Sequence, residues 1–243
     1  MKASTRIALA TVAGLIMLAT SAVMWADEAK KSSEAPKREA KAEESSAPVY
    51  KPPLRGAPGG RVGGGTRGTQ GRDIFVLSVL APDHTGLTTK DQPSLFWFIS
   101  SDTSLPVELA IVDPNATEPL LETRIAAPVK RGVHRVRLAD YGVSLAPGKA
   151  YQWSVAVVPD PARRSRDILA SGTIERVKPP GELKPKVAGA GKEDLVAQYA
   201  EDGIWYDALE ALSDQIESSP GDTTLRSYRA ALLKQVGLPE IAE

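Results

Sequence analysis

The chain has 243 residues, of which 42% are hydrophobic and 25% charged, and its 30 basic and 30 acidic residues give a net charge of zero. This composition is typical of a globular protein and excludes a strongly basic nucleic-acid binder, a multi-span membrane protein and a collagen-like fibre. Because cysteine is absent, the sequence also excludes disulfides, thiolate zinc sites and a cysteine nucleophile.

Residues 1–26 have the pattern of a secretory signal peptide. Two basic residues precede an uncharged run of 19 residues, 7–25, which is followed by small residues up to Ala26. We expect cleavage after Ala26 or Ala22, and therefore a periplasmic or otherwise exported protein. An uncleaved membrane anchor is the alternative, because a run of this length can just span a bilayer.

Two segments of biased composition follow. Residues 27–50 contain no aliphatic or aromatic residue larger than alanine before Val49, which predicts a disordered tether. Residues 51–72 form an arm with eight of the 20 glycines, five basic residues and no acidic residue. Because a guanidinium can grip a carboxylate or phosphate of a partner, the arginines of this Gly/Arg-rich arm are candidate binding residues. They are Arg55, Arg61, Arg67 and Arg72.

Residues 73–178 alternate between short apolar runs and turn residues. This pattern predicts an antiparallel β-sandwich of seven strands that resembles immunoglobulin and fibronectin-III modules. The predicted strands are 74–80, 95–99, 107–112, 120–125, 133–138, 150–158 and 168–177.

A Pro/Gly/Lys-rich linker, 179–191, leads to a helical tail, 192–238. The apolar spacing predicts three short helices with a break at Gly203, and Asp222 as the N-cap of the third helix. The tail resembles a single tetratricopeptide-like repeat. Trp205, at the start of the second helix, is a further candidate binding residue.

The two charged regions have opposite signs. Residues 191–243 carry eleven acidic and four basic residues, whereas the arm is wholly basic. We therefore expect the arm and the tail to belong to one interaction system, within one chain or between neighbours. The alternative is that the arm packs along the edge of the sandwich and the acidic residues of the tail are solvated.

The residues that could carry catalysis are few. Asp83 could orient His84, but no nucleophile motif accompanies the pair, so a turn is favoured over a hydrolase site. His134 lies on the same strand face as Val136 and is predicted to be packed or at a sheet edge. No group of carboxylates and histidines has metal-ligand spacing, so no metal, cofactor or enzymatic activity is predicted.

The aromatic run 96–98 and Trp153 allow two interpretations. Exposed aromatic side chains could stack on a sugar, which would indicate carbohydrate binding. On a strand, however, residues 96 and 98 face one side and residue 97 the other, which favours a core packed from both sides.

Several blocks of the sequence resemble an uncharacterised bacterial family, domain of unknown function 928. They are the runs 53–68, 86–88, 96–98 and 203–209, together with Pro93. The likeness covers roughly residues 50–238. It implies an exported envelope protein and supplies no activity, cofactor or catalytic residue.

The leading functional hypothesis is a non-catalytic protein-interaction module of the cell envelope. Its partner would be another envelope protein or a second copy of the chain, with no nucleic acid, and a membrane only if the N-terminal segment is retained. The alternative is a carbohydrate- or cell-wall-binding protein that uses Trp97 or Trp153. A hydrolase around Asp83 and His84 is the third hypothesis.

Overall fold

The structure is a computed structural model that describes residues 47–53, 62–65, 75–179, 181, 191–238 and 241. The predicted signal peptide, most of the predicted tether and the four candidate arginines of the arm lie outside these residues. Among the described residues, no helix has the length and hydrophobicity needed to cross a membrane.

Nine strands and three α-helices make up the described part of the chain. The strands are β1 (Val62–Gly65), β2 (Phe75–Val79), β3 (Gly86–Thr88), β4 (Ser94–Ile99), β5 (Val107–Val112), β6 (Leu121–Ile125), β7 (Gly132–Arg137), β8 (Ala150–Val157) and β9 (Ile168–Arg176). The helices are α1 (Lys192–Glu201), α2 (Trp205–Ser218) and α3 (Thr223–Gln235). The predicted class, mostly β with a helical tail, is confirmed.

The strands form two sheets. The four-stranded sheet has the order β1-β2-β4-β7, and the five-stranded sheet has the order β3-β9-β8-β5-β6. Neighbouring strands are antiparallel except β3 and β9, which are parallel. All seven predicted strands are present, and the limits of β5 agree with the prediction. The two strands that were not predicted, β1 and β3, are short, and β1 consists mostly of glycine, a residue that is depleted in strands.

The core follows from the two-residue period of the strands. In β4, Leu95, Trp97 and Ile99 are fully buried and lie on one face. In the five-stranded sheet, Trp153 and Val155 of β8 are fully buried in the same way. These side chains belong to one continuous buried cluster. Alternation between core and outer face therefore fixes the register of the sheets.

The helices begin and end where the sequence predicts. Gly203 separates α1 from α2 with a φ of +74°, a left-handed conformation that favours glycine. A Cβ at this position would also lie 2.7 Å from the carbonyl oxygen of Lys51. Asp222 is the N-cap of α3, since its Oδ1 accepts a hydrogen bond of 2.8 Å from the Thr224 amide.

The helices share their core with the two sheets, a pair for which we use the name sandwich. Trp205 is fully buried, and its indole donates a hydrogen bond of 2.9 Å to the carbonyl oxygen of Leu80, at the end of β2. Tyr206 is also fully buried and bonds to Trp153 of β8. The buried cluster that contains the sandwich core therefore continues into α1, α2 and α3.

Residues 47–53, where the predicted tether meets the arm, lie against the helices. The Gln235 side chain donates to the carbonyl oxygen of Pro48 at 2.9 Å and accepts from the Tyr50 amide at 2.8 Å. The Lys51 amide donates to the carbonyl oxygen of Ala200 at 3.0 Å. Tyr50 is only 6% exposed, so this short segment belongs to the packed body of the protein.

Candidate functional site

The predicted binding residues are placed as follows. Arg55, Arg61, Arg67 and Arg72 lie outside the described residues. Trp205 lies in the interior, where its ring meets Tyr50 edge-on at a centroid distance of 5.0 Å. The Trp205 side chain is therefore inaccessible to an external partner in this arrangement. One basic residue of the arm is described, and the Lys51 ammonium lies 3.6 Å from the Glu201 carboxylate of α1.

Asp83 and His84 form the pair that the hydrolase hypothesis requires. Asp83 Oδ1 lies 3.1 Å from His84 Nδ1, and His84 Nε2 lies 2.9 Å from the Tyr50 hydroxyl. Burial raises the pKa of Tyr50 well above its usual range, so this hydroxyl stays protonated and is a poor nucleophile. The Tyr50 and His84 rings stack at 5.9 Å. The three groups hold the 47–53 segment to the turn after β2.

Of the aromatic residues of the carbohydrate hypothesis, all but the half-buried Phe98 lie in the core. Trp97 and Trp153 are both fully buried, and Phe96 is 2% exposed. His134 stacks on Trp97 at a centroid distance of 4.5 Å and bonds to the Lys130 carbonyl oxygen. The structure thus places His134 among packed residues, as its position on the strand predicts.

Helix α2 carries an acidic stripe that faces the sandwich. We use this name for the residues at helical positions one turn apart, which are Asp207, Glu210, Asp214 and Glu217. Residues spaced by three and four lie on one face of a helix. All four contact groups of the sandwich or of the loop after β3.

Asp207 is the most buried member of the acidic stripe. Its carboxylate accepts hydrogen bonds from the Thr88 hydroxyl at 2.5 Å, the Thr89 amide at 3.1 Å and the Thr89 hydroxyl. Burial raises the pKa of Asp207, and the hydrogen bonds oppose that shift only in part. This carboxylate joins the helix to the end of β3.

Glu210 forms the centre of an ion-pair network. Its carboxylate lies 3.0 Å from Arg135 Nη2 and 3.1 Å from Lys90 Nζ, and it accepts from the Ser94 amide at 3.2 Å. Arg135 also bonds to Asp214 and lies 3.4 Å from Glu217. Because the Arg135 and Glu210 side chains are each only 11% exposed, this pair is largely removed from water.

Replacing Asp207 with asparagine is expected to change how stability depends on pH. Because the folded pKa lies above the unfolded value of about 3.8, the native state binds more protons than the unfolded state between these two values. The contribution of Asp207 to stability therefore falls as the pH rises through this range. Urea unfolding at several pH values should show the wild type losing stability relative to Asp207→Asn as the pH rises from about 3.5 to 7.

Asp113 provides a control of opposite sign. A hydrogen bond from Lys149 lowers the pKa of Asp113, so its contribution should be lost as the pH falls. Relative to Asp113→Asn, the wild type should gain stability as the pH rises. Slopes of equal sign for the two variants would contradict the placement of Asp207 in a desolvated site.

The outer face of the five-stranded sheet carries an exposed concave surface. Two rows of paired residues cross it, Glu122-Ala110-Ser154-Ser171 and Arg124-Glu108-Ala156-Leu169. The middle of both rows consists mainly of small residues, which leaves a depression of about 330 Å³. Leu169, at one side, is 53% exposed. We call this surface the small-residue face.

Charged groups line one end of the small-residue face. Glu108 lies 3.1 Å from Arg124 and 2.6 Å from Arg164, and Arg164 lies 2.9 Å from Asp167. The hydrogen bond from Arg164 is the main cause that lowers the pKa of Glu108. The network therefore presents charges of both signs beside an apolar floor. Within the described ranges, no three histidine or acidic side chains are arranged to hold a metal ion.

Sequence reasoning missed both of these surfaces. The sequence analysis used the acidic residues of the tail only for their summed charge. The spacing of 3, 4 and 3 residues within the acidic stripe already predicts that its four members lie on one helix face. The small-residue face had a weaker signal, namely small or polar residues alternating with large apolar ones in β5 and β8.

A family model described as Domain of Unknown Function (DUF928) matches residues 62–243, a range that includes every strand and helix named above. The predicted resemblance is thereby confirmed. No curated protein matches the chain.

Proposed function

The chain belongs to the family described as Domain of Unknown Function (DUF928), and from this premise we propose that it is a non-catalytic protein-interaction module exported to the cell envelope. In this proposal, the sandwich is a module of the immunoglobulin or fibronectin-III type and provides the surface that binds the partner. The helices, related to a tetratricopeptide-like repeat, brace it.

One observation carries the proposal, and it is the small-residue face. Helix α2 packs against β3 and the start of β4, whereas no described helix covers the outer side of β5, β6 and β8. An exposed leucine beside a shallow depression, with charged groups at one end, has the layout of a protein contact, in which an apolar patch is bordered by a polar rim. The partner that fits is a protein surface with one apolar side chain to insert above Ala110 and Ala156.

The rigidity of the module supports the same role. Asp207 bonds to Thr88 of β3 and Glu210 bonds to Arg135 of β7, so helix α2 is tied to an edge strand of each sheet. A pre-formed surface loses little conformational entropy when a partner binds.

A photo-crosslinking amino acid placed at Leu169 tests the proposal in native envelopes. We expect a defined protein adduct from position 169 and none from the matched position Tyr141, which is 42% exposed and lies after β7. The additional change Ser154→Arg, which fills the depression, should remove that adduct while the protein remains folded. Equal adducts at both positions, or an adduct insensitive to Ser154→Arg, would contradict the proposal.

A further inference from the structure

Strand β6 ends the five-stranded sheet. Its only neighbour in the sheet is β5, and in the described ranges no strand pairs with its other side. Such an edge presents backbone N–H and C=O groups that can pair with another strand.

The sequence of β6 is symmetric in character about its central residue. It reads Leu-Glu-Thr-Arg-Ile, with Thr123 in the middle, an acidic and a basic residue on either side and an apolar residue at each end. Glu122 and Arg124 are exposed and lie on the outer side of the sheet, whereas Leu121, Thr123 and Ile125 are half-buried on the other side. A strand of this kind is complementary to itself when it is reversed.

We propose that β6 pairs antiparallel with β6 of a second copy of this chain, with the two Thr123 residues opposite each other. Glu122 then faces Arg124 of the second copy, and Arg124 faces Glu122 of the second copy. Opposite charges directly across a strand pair are stabilising, and like charges are destabilising. The two five-stranded sheets become one continuous sheet across a twofold axis.

The charges select this register over its neighbours. A shift of the pairing by two residues places Glu122 opposite Glu122, or Arg124 opposite Arg124, at the twofold axis. A shift by one residue sets inward side chains against outward ones. Only the register centred on Thr123 pairs opposite charges and keeps both faces matched.

Residues beside the strand extend the contact. In this register Leu120, which is 38% exposed, lies across from the exposed Ala126 of the second copy. Arg124 already bonds to Glu108 at 3.1 Å, but through one nitrogen, so its other donors can reach a second carboxylate. The alternative, that Glu122 and Arg124 simply keep other strands away from the edge, would not require their opposite signs.

This pairing deepens the proposed interaction role, on which it rests for its use in the envelope, by naming a second copy as one partner. Stable interfaces bury at least about 1,200 Å² of accessible surface, and a pair of five-residue strands buries much less. The association is therefore expected to be weak. It is therefore measured with the purified full-length protein at high concentration.

Sedimentation of the full chain from about 10 µM to about 1 mM tests the pairing. We expect reversible dimers for the wild type. Glu122→Arg and Arg124→Glu should each weaken self-association about tenfold or more, because each brings two like-charged pairs together. A mixture of the two variants should associate more tightly than either variant alone, since every cross-strand pair between the copies of the mixed dimer again joins opposite charges.

The control is Asp140→Lys, which changes the net charge by the same amount and sign as Glu122→Arg, at an exposed position after β7, and should leave self-association unchanged. Circular dichroism of each variant shows whether it is folded. A monomeric wild type, or a mixture that stays monomeric, would overturn the pairing. If Leu169 still forms its adduct with another protein in that case, the proposed function stands and only the pairing of copies fails.

Discussion

Replacing Tyr206 with alanine is expected to lower the free energy of unfolding by about 3 to 5 kcal/mol, the range seen when a large buried aromatic side chain is removed. Tyr206 is fully buried, and its hydroxyl accepts from Trp153 Nε1 at 2.8 Å and donates to the Thr173 carbonyl oxygen at 3.1 Å. Its loss would leave a cavity between helix and sandwich and an unpaired buried indole.

The close packing around this ring explains why neighbours cannot fill the gap cheaply. A Cβ at Gly86 would lie only 2.6 Å from Tyr206 Cε2, so the ring lies directly against the backbone of β3. Glycine at this position lets the helix approach the strand. Collapse after truncation would therefore have to move backbone as well as side chains.

Urea unfolding followed by both circular dichroism and tryptophan fluorescence measures the effect. Tyr206→Phe should cost about 1 to 3 kcal/mol, the penalty of leaving the indole unsatisfied. Tyr141→Ala, at an exposed position, should change stability by no more than about 0.5 kcal/mol. We expect one coincident transition in each case. Separate transitions for helices and strands would show that α2 is not part of the sandwich core.

The sequence was sufficient for the strands and helices because their signals are local. Val107–Val112 alternates buried and half-buried residues, and β-branched and aliphatic side chains fill its inward positions, so its limits could be read directly. Gly203 and Asp222 mark helix ends through local backbone and capping chemistry.

The same local sequence patterns did not predict how the strands and helices are arranged in space. Three glycines in β1 and the three-residue length of β3 gave no strand pattern, and their pairing depends on neighbours distant in the chain. Trp205 is a candidate binding residue by sequence, because large aromatic side chains occur both at protein interfaces and in hydrophobic cores. Whether it faces a partner or Leu80 depends on how the tail packs, which periodicity does not specify.

The acidic stripe illustrates the difference between charge and contact. The negative net charge of the tail predicts attraction to the basic arm. In the structure, Glu210 and Asp214 are bound to Arg135 of β7, and no local pattern associates this residue with the tail. The part of the tail left for other contacts is therefore less acidic than its composition indicates.

Replacing Arg135 with methionine is expected to cost about 3 kcal/mol, because it leaves the nearly buried Glu210 without its closest cation. Lys90 and the Ser94 amide still contact this carboxylate, but Lys90 is more exposed than Arg135. Removing one partner of a desolvated ion pair costs more than the net value of the pair itself. Arg135 also packs its guanidinium 5.4 Å from the centre of the Phe96 ring, a contact that methionine keeps in part.

The double variant Arg135→Met/Glu210→Met separates these contributions. Because it removes both charges, we expect it to be more stable than Arg135→Met alone, with a coupling energy between the two sites of about 1 to 3 kcal/mol. Arg163→Met is the matched control, since Arg163 is 61% exposed and lies 3.5 Å from Asp160, and its loss should cost no more than about 0.5 kcal/mol. Additive effects of the two changes would mean that Arg135 and Glu210 do not stabilise the protein as a pair. A coupled result would make this ion pair, together with the Asp207 and Tyr206 contacts, part of the connection that holds α2 against the two sheets.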